Sequence, residues 1–99
     1  MTLPVVFRPE ASFDVLEARD YYERHRTKLG DHFVDALDET VSLIATRPEL
    51  FAVVLRTVRR TKIRRFPYVV YYRILADRVE IIAVMHGNRH PRTWRRRVN

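Results

Sequence analysis

Two segments of this chain are apolar at nearly every position. Val69 to Leu75 and Val79 to His86 are rich in β-branched and aromatic residues, and only Ala76-Asp77-Arg78 separates them. That composition around so short a connection predicts a strand–turn–strand unit. A strand with one wet face alternates, so continuous apolarity predicts two central strands covered on both sides. On simple alternation His86 shares a face with Ile82 and Val84. Upstream the period changes. Ala11, Val15, Ala18, Tyr22, His25 and Leu29 recur every three or four residues, with Glu10, Asp14, Glu17, Arg24 and Lys28 between them, which predicts an amphipathic helix opened by Pro9. Gly30 breaks this pattern. Phe33, Val34, Leu37, Val41, Ile44 and Ala45 then predict a second helix, acidic at its start and closed at Arg47-Pro48. A short link makes the two an antiparallel αα-hairpin with its apolar face on the sheet.

The remaining segments complete the sheet. Val5-Val6-Phe7 predicts a short first strand, while Ala52 to Arg59 and Thr61 to Phe66 predict two more, with the bend at Arg59-Arg60. Pro67 cannot donate to a ladder and marks a strand start or bulge before Tyr68. The expected fold class is α+β, with an N-terminal strand and an antiparallel helical hairpin packed on an antiparallel β-sheet. The order is β-α-α-β-β-β, and residues 1–99 form a single domain.

Composition narrows the function classes. A chain of 99 residues, 46% hydrophobic and 31% charged, fits a soluble domain with one modest core. Its apolar runs fall far short of the roughly 18–20 residues that a membrane span requires. The N-terminus lacks the basic start and apolar core of a signal peptide, so the expected location is cytoplasmic, with no membrane partner. There is no cysteine, hence no disulfide framework and no thiolate metal site. His25 has no second ligand at metal spacing and reads as a packed or capping residue. Two distant glycines, Gly30 and Gly87, exclude a phosphate loop, and Ser12 and Ser42 lack a nucleophile's context. No metal and no cofactor are expected.

Charge is the stronger signal. Residues 1–49 hold six Lys/Arg against ten Asp/Glu, a balance of −4, whereas residues 50–99 hold thirteen against two, a balance of +11. Arg56, Arg59, Arg60, Lys62, Arg64 and Arg65 crowd ten residues, and the tail carries Arg89, Arg92, Trp94, Arg95, Arg96 and Arg97. A solvated outer face accounts for some of this, and an acidic partner accounts for its one-sidedness. Trp94 either anchors the tail on the core or stacks on a partner. Lys62, Arg73, His86 and Arg89 form the one plausible catalytic set. A histidine acting as acid or base, with cations stabilising a phosphorane, can cleave RNA without metal. The same residues serve equally as a binding surface.

Several features arrive in a characteristic order. The helical hairpin carries Ala11, Val15, Ala18 and Tyr22, then Gly30, Phe33, Leu37, Ile44 and Pro48. It is followed by Phe66-Pro67-Tyr68-Val69-Val70-Tyr71-Tyr72, Ile81-Ile82-Ala83-Val84-Met85-His86 and Arg89-His90-Pro91-Arg92-Thr93-Trp94. Together they resemble the ParE/RelE superfamily of toxins from bacterial type II toxin–antitoxin modules, and within it the ParE-like branch of plasmid stabilisation proteins. The resemblance implies an α-hairpin on an antiparallel sheet and a toxin held in a hetero-oligomer by a small antitoxin. An acidic C-terminal antitoxin segment would lie on Arg59, Arg60, Lys62, Arg64, Arg65 and Arg73.

The branches of the superfamily differ in target. RelE-like members cut mRNA on the ribosome, whereas ParE-like members poison DNA gyrase. Arg60, Lys62 and Arg89 match basic positions of the ribonuclease branch. Val69 stands where that branch has an arginine, and Trp94 stands near its tyrosine, whose acid–base work an indole cannot do. The resemblance therefore implies gyrase inhibition, with Arg89, Arg92, Trp94, Arg95, Arg96 and Arg97 as target contacts. A ribosome-dependent mRNA endonuclease using Lys62, His86 and Arg89 is one alternative, and an inactive antitoxin-binding module is another.

Overall fold

The two apolar segments are the middle of a five-stranded sheet. In the computed structural model, which describes residues 2–98, β1 (Val5–Phe7), α1 (Pro9–His25), α2 (Leu29–Thr46), β2 (Val53–Leu55), β3 (Val58–Lys62), β4 (Tyr68–Ile74), β5 (Val79–His86) and α3 (Arg92–Arg95) follow in order. The sheet order is β1-β5-β4-β3-β2, so β4 and β5 are flanked on both sides. The α+β class and the helical hairpin on the sheet are as expected. The sheet has five strands, and it is mixed. β1 joins β5 in parallel, Val5 beside Val79 and Phe7 beside Ile81, while the other pairings are antiparallel.

Each face of the sheet carries its own core. Under the hairpin lie Ala11, Ala18, Phe33, Leu37, Ile44, Ile63, Phe66, Val70, Tyr72, Val79, Ile81 and Val84. On the other side, Val58, Val69, Tyr71, Ile82, Ala83 and Met85 meet Trp94 and Val98 of the tail. Sheets buried on both faces need apolar residues at successive positions, which is why alternation fails here. A register shift adds to this. Tyr71 opposes Ala83 while Tyr72 opposes Ile81, leaving Ile82 as a bulge. The bulge turns Ile82 to the tail side, so His86 shares the helix side with Val84 but not with Ile82.

Three boundaries depart from the sequence reading. The hairpin turn lies at Arg26 to Lys28, where Lys28 adopts φ 73°, and both Leu29 and Gly30 belong to α2. Gly30 is buried because α1 passes close by: a Cβ there would stand 2.8 Å from the Arg19 carbonyl oxygen. The bend expected at Arg59-Arg60 lies instead at Arg56-Thr57, where Arg56 has φ 51°. Arg59 and Arg60 sit within β3, and residues 63–67 form a loop. Pro67 adds no donor to that loop, which the Ile63 N–H closes onto the Tyr68 carbonyl at 2.9 Å. Val54 is exposed on edge strand β2. His25 is exposed rather than packed: its Nδ1 donates to the Tyr21 carbonyl at 2.8 Å, a cap on the last turn of α1.

Candidate functional site

The expected catalytic residues do not converge. Tyr68 pairs with His86 across β4 and β5, and Tyr68 packs beneath the hairpin against Tyr22 and Phe33. Lys62 pairs with Val69, whose side chain belongs to the opposite core. Paired residues share a face, so Lys62 and His86 leave the sheet on opposite sides. His86 is half-buried, its ring edge-on to Tyr68 at 5.7 Å. Its Nδ1 accepts the Asn88 N–H at 3.0 Å, which puts the proton of the neutral ring on Nε2. Arg89 is exposed in the turn that follows, with its N–H donated to the His86 carbonyl. The Tyr68 phenol is held above its usual range chiefly by burial and next by Tyr21, against the opposing pull of Arg89.

The six strand and loop cations expected at an antitoxin divide into two groups. The Arg59 guanidinium donates to the Glu49 and Phe51 carbonyls at 3.2 and 2.7 Å, holding the segment between α2 and β2. Arg73 pairs with Glu80 at 2.8 Å, and Arg8 pairs with the same carboxylate at 3.2 Å. Arg60, Lys62, Arg64 and Arg65 are exposed. Arg64 and Arg65 border an open cleft of about 520 Å³ at the hairpin end, floored by Leu29, Ala36 and Phe66. Asp35 and Glu39 stand on its other rim.

The tail residues divide in the same way. Trp94 is 4% exposed and stacks on Tyr71, ring centroids 4.4 Å apart and planes at 18°, so it anchors the tail to the sheet. Arg97 reaches across to α1, where Asp14 accepts from both of its terminal nitrogens at 2.6 and 3.1 Å. The Asp14 carboxylate also takes the Val84 N–H, and Arg97 donates to the Ile82 carbonyl. These two backbone groups lie on β5 beyond the last residue paired with β1, so the Asp14–Arg97 pair satisfies an edge that no strand covers. Arg8 donates to the Arg97 carbonyl and ties β1 to the same place. Arg92, Arg95 and Arg96 remain exposed, and with His90 they line an open cleft of about 410 Å³.

Some of these participants escaped the sequence reading. Asp14 sits beside the apolar stripe of α1, and an acid in that position signals a buried partner. Phe13 and Leu16, 64% and 58% exposed, lie on the outward face of α1, away from the Ala11–Val15–Ala18 stripe. Among the described residues no group of three His, Cys, Asp or Glu side chains is placed to hold a metal, and no helix is long and apolar enough to cross a membrane.

Comparison with known proteins agrees with this architecture. Residues 5–91 match the family model described as "ParE toxin of type II toxin-antitoxin system, parDE". The chain is 33% identical over 82 residues to Toxin ParE2 of Mycobacterium tuberculosis, in both strain CDC 1551 / Oshkosh and strain H37Rv, covering 79% of this chain and 75% of the relative. A solved structure, "Chromosomal ParDE TA system from P. aeruginosa", superposes with a TM-score of 0.76 at 16% identity, over 86% of this chain and 96% of the other. At that identity the superposition speaks for the fold, while the family match and the mycobacterial relatives speak for kinship. The chain belongs to the ParE toxin family of type II toxin–antitoxin systems.

Proposed function

We propose that this toxin is neutralised in the cytoplasm by a small antitoxin and inhibits DNA gyrase when free, the two forming a hetero-oligomer until the antitoxin is lost. The observation that carries the gyrase reading is the separation of Lys62 from His86 by the sheet itself. A metal-free ribonuclease needs its acid–base group and its cations around one phosphate. What the chain offers is an exposed basic surface: Arg92, Arg95 and Arg96 line one open cleft with His90, and Arg89 is exposed in the turn before it. The antitoxin's acidic segment fits Arg60, Lys62, Arg64 and Arg65, exposed residues that no carboxylate pairs among the described residues, although the Lys62 ammonium also donates to the Ile63 carbonyl at 3.3 Å.

Controlled expression in cells without antitoxin tests this, with labelled thymidine and labelled amino-acid incorporation followed over the first minutes. Thymidine incorporation is expected to fall first. An earlier fall in amino-acid incorporation would move the activity to mRNA, and loss of neither would overturn the toxin's proposed action. Arg92→Gln/Arg95→Gln/Arg96→Gln is expected to abolish growth arrest with the fold intact, while His86→Ala keeps it. Point changes are the right instrument here, since removing the tail would also remove Trp94 and Arg97 from the core.

A further inference from the structure

The tail-covered face of the sheet carries an uninterrupted series of aromatic and guanidinium contacts. The Arg60 guanidinium lies over the Tyr71 ring at 5.7 Å, Tyr71 stacks on Trp94, and the Arg95 guanidinium lies over Trp94 at 5.6 Å. Lys62 leaves on the same face two residues along β3, and Arg92 and Arg96 flank Arg95 on and beside α3. Their own half of the chain is poor in acid. The half-chain from residue 50 onward has only Asp77 and Glu80. Asp77 is paired with Arg78, and Glu80 with Arg73 and Arg8. Among the described residues, no carboxylate pairs with Arg60, Lys62, Arg92, Arg95 or Arg96.

We propose that this face binds the phosphate backbone of double-stranded nucleic acid, a property of the chain itself that does not depend on which enzyme it arrests. The aromatic rings argue for a duplex over a single strand. Single-strand sites present free ring faces on which bases stack. Here Tyr71 and Trp94 are 3% and 4% exposed and stacked on each other, so no platform is left for a base. What remains is guanidinium and ammonium held at fixed places by the sheet and the anchored tail. Such groups contact phosphates without regard to sequence. The rings act as spacers, holding Arg60 on β3 and Arg95 on α3 at either end of one rigid unit.

The test is fluorescence anisotropy of the purified, antitoxin-free chain with short DNA duplexes of unrelated sequence, titrated at several salt concentrations. Binding is expected to be equal across sequences and to weaken steeply with salt. Each phosphate contact contributes about 0.9 to the slope of log K against log salt, so Arg60→Gln/Arg95→Gln is expected to lessen the slope by about two. Lys62→Gln/Arg96→Gln touches neither ring and is expected to do the same, which covers the case where loss of the ring contacts disturbs the fold. Arg64→Gln/Arg65→Gln removes the same charge from the hairpin-end cleft and is expected to leave the slope unchanged. Equal losses from all three pairs would reduce the effect to net charge and overturn the site. So would absence of binding at low salt, or tighter binding to a single-stranded oligonucleotide than to its duplex.

Discussion

Gly30 shows how one side chain, or its absence, sets the distance between the helices. Its N–H donates to Glu23 Oε1 at 3.0 Å, the same carboxylate takes the Lys28 N–H at 3.0 Å, and together these cap the start of α2 from the end of α1. A Cβ at Gly30 would press on the Arg19 carbonyl and on Glu23 Oε1 at 2.8 and 2.9 Å. Gly30→Ala is therefore expected to destabilise the fold by roughly 1–3 kcal/mol despite alanine's better helix propensity, read as a lower urea midpoint. Tyr72 is the second case. It is fully buried, and its hydroxyl donates to the Pro48 carbonyl at 2.6 Å. Burial raises the phenols of Tyr22, Tyr68 and Tyr72 above the ordinary value of 10.0. The folded chain thus keeps protons that the unfolded chain releases, so stability is fully present below pH 10 and falls as pH rises beyond it. Tyr72→Phe is expected to cost about 1 kcal/mol near neutrality and to flatten that alkaline decline, measured by denaturant unfolding across a pH series.

Among the elements, the tail is held by two anchors, the Asp14–Arg97 pair and Trp94. Asp14 and Arg97 have side chains only 10% and 19% exposed, and they meet across 83 residues of sequence. Asp14→Asn is expected to cost roughly 1.5–3 kcal/mol, as for hydrogen bonds to a charged group. Hydrogen exchange should show lost protection at the amides of Arg95, Arg97 and Val98, with Val70 and Ile81 still protected. Trp94→Ala is expected to be worse, roughly 3–5 kcal/mol, because it empties the second core. What the sequence displayed at this scale followed from periodicity. The hairpin helices, β1 and the β4–β5 unit were legible because their buried faces repeat at 3.6 residues or run continuously apolar. The β2–β3 turn was not, because it rests on an arginine in the left-handed region, where glycine or asparagine is the usual signal. The parallel placement of β1 was equally hidden, since three apolar residues carry no direction. Among the candidate site residues, the sequence displayed the charges but not which were already engaged. Arg59, Arg73 and Arg97 look like Arg60, Arg92 and Arg96 until their partners are seen.

For the whole molecule, the division of charge matches the division of labour. The acidic half builds the hairpin, and the basic half builds β2 to β5 and the tail. On the proposed function, an acidic antitoxin segment approaching the basic half would be steered by long-range attraction that salt screens over about 8–10 Å. Raising the ionic strength is expected to slow association of the two proteins by about tenfold or more, with dissociation changed far less. Arg60→Gln/Lys62→Gln should flatten that salt dependence in stopped-flow measurements.

The parallel pairing of β1 with β5 also governs when the fold of this toxin can close. Val5 leaves a translating ribosome well before the strand it must pair with, which begins at Val79, and the arginine that Asp14 awaits is Arg97. Until β5 is made, β1 has no strand to pair with, and until Arg97 follows, the β5 edge beyond Ile81 stays open. The finished surface exists only once residue 97 has left the exit tunnel. On the proposed function, an antitoxin already present in the cell would meet each new copy only as these contacts close.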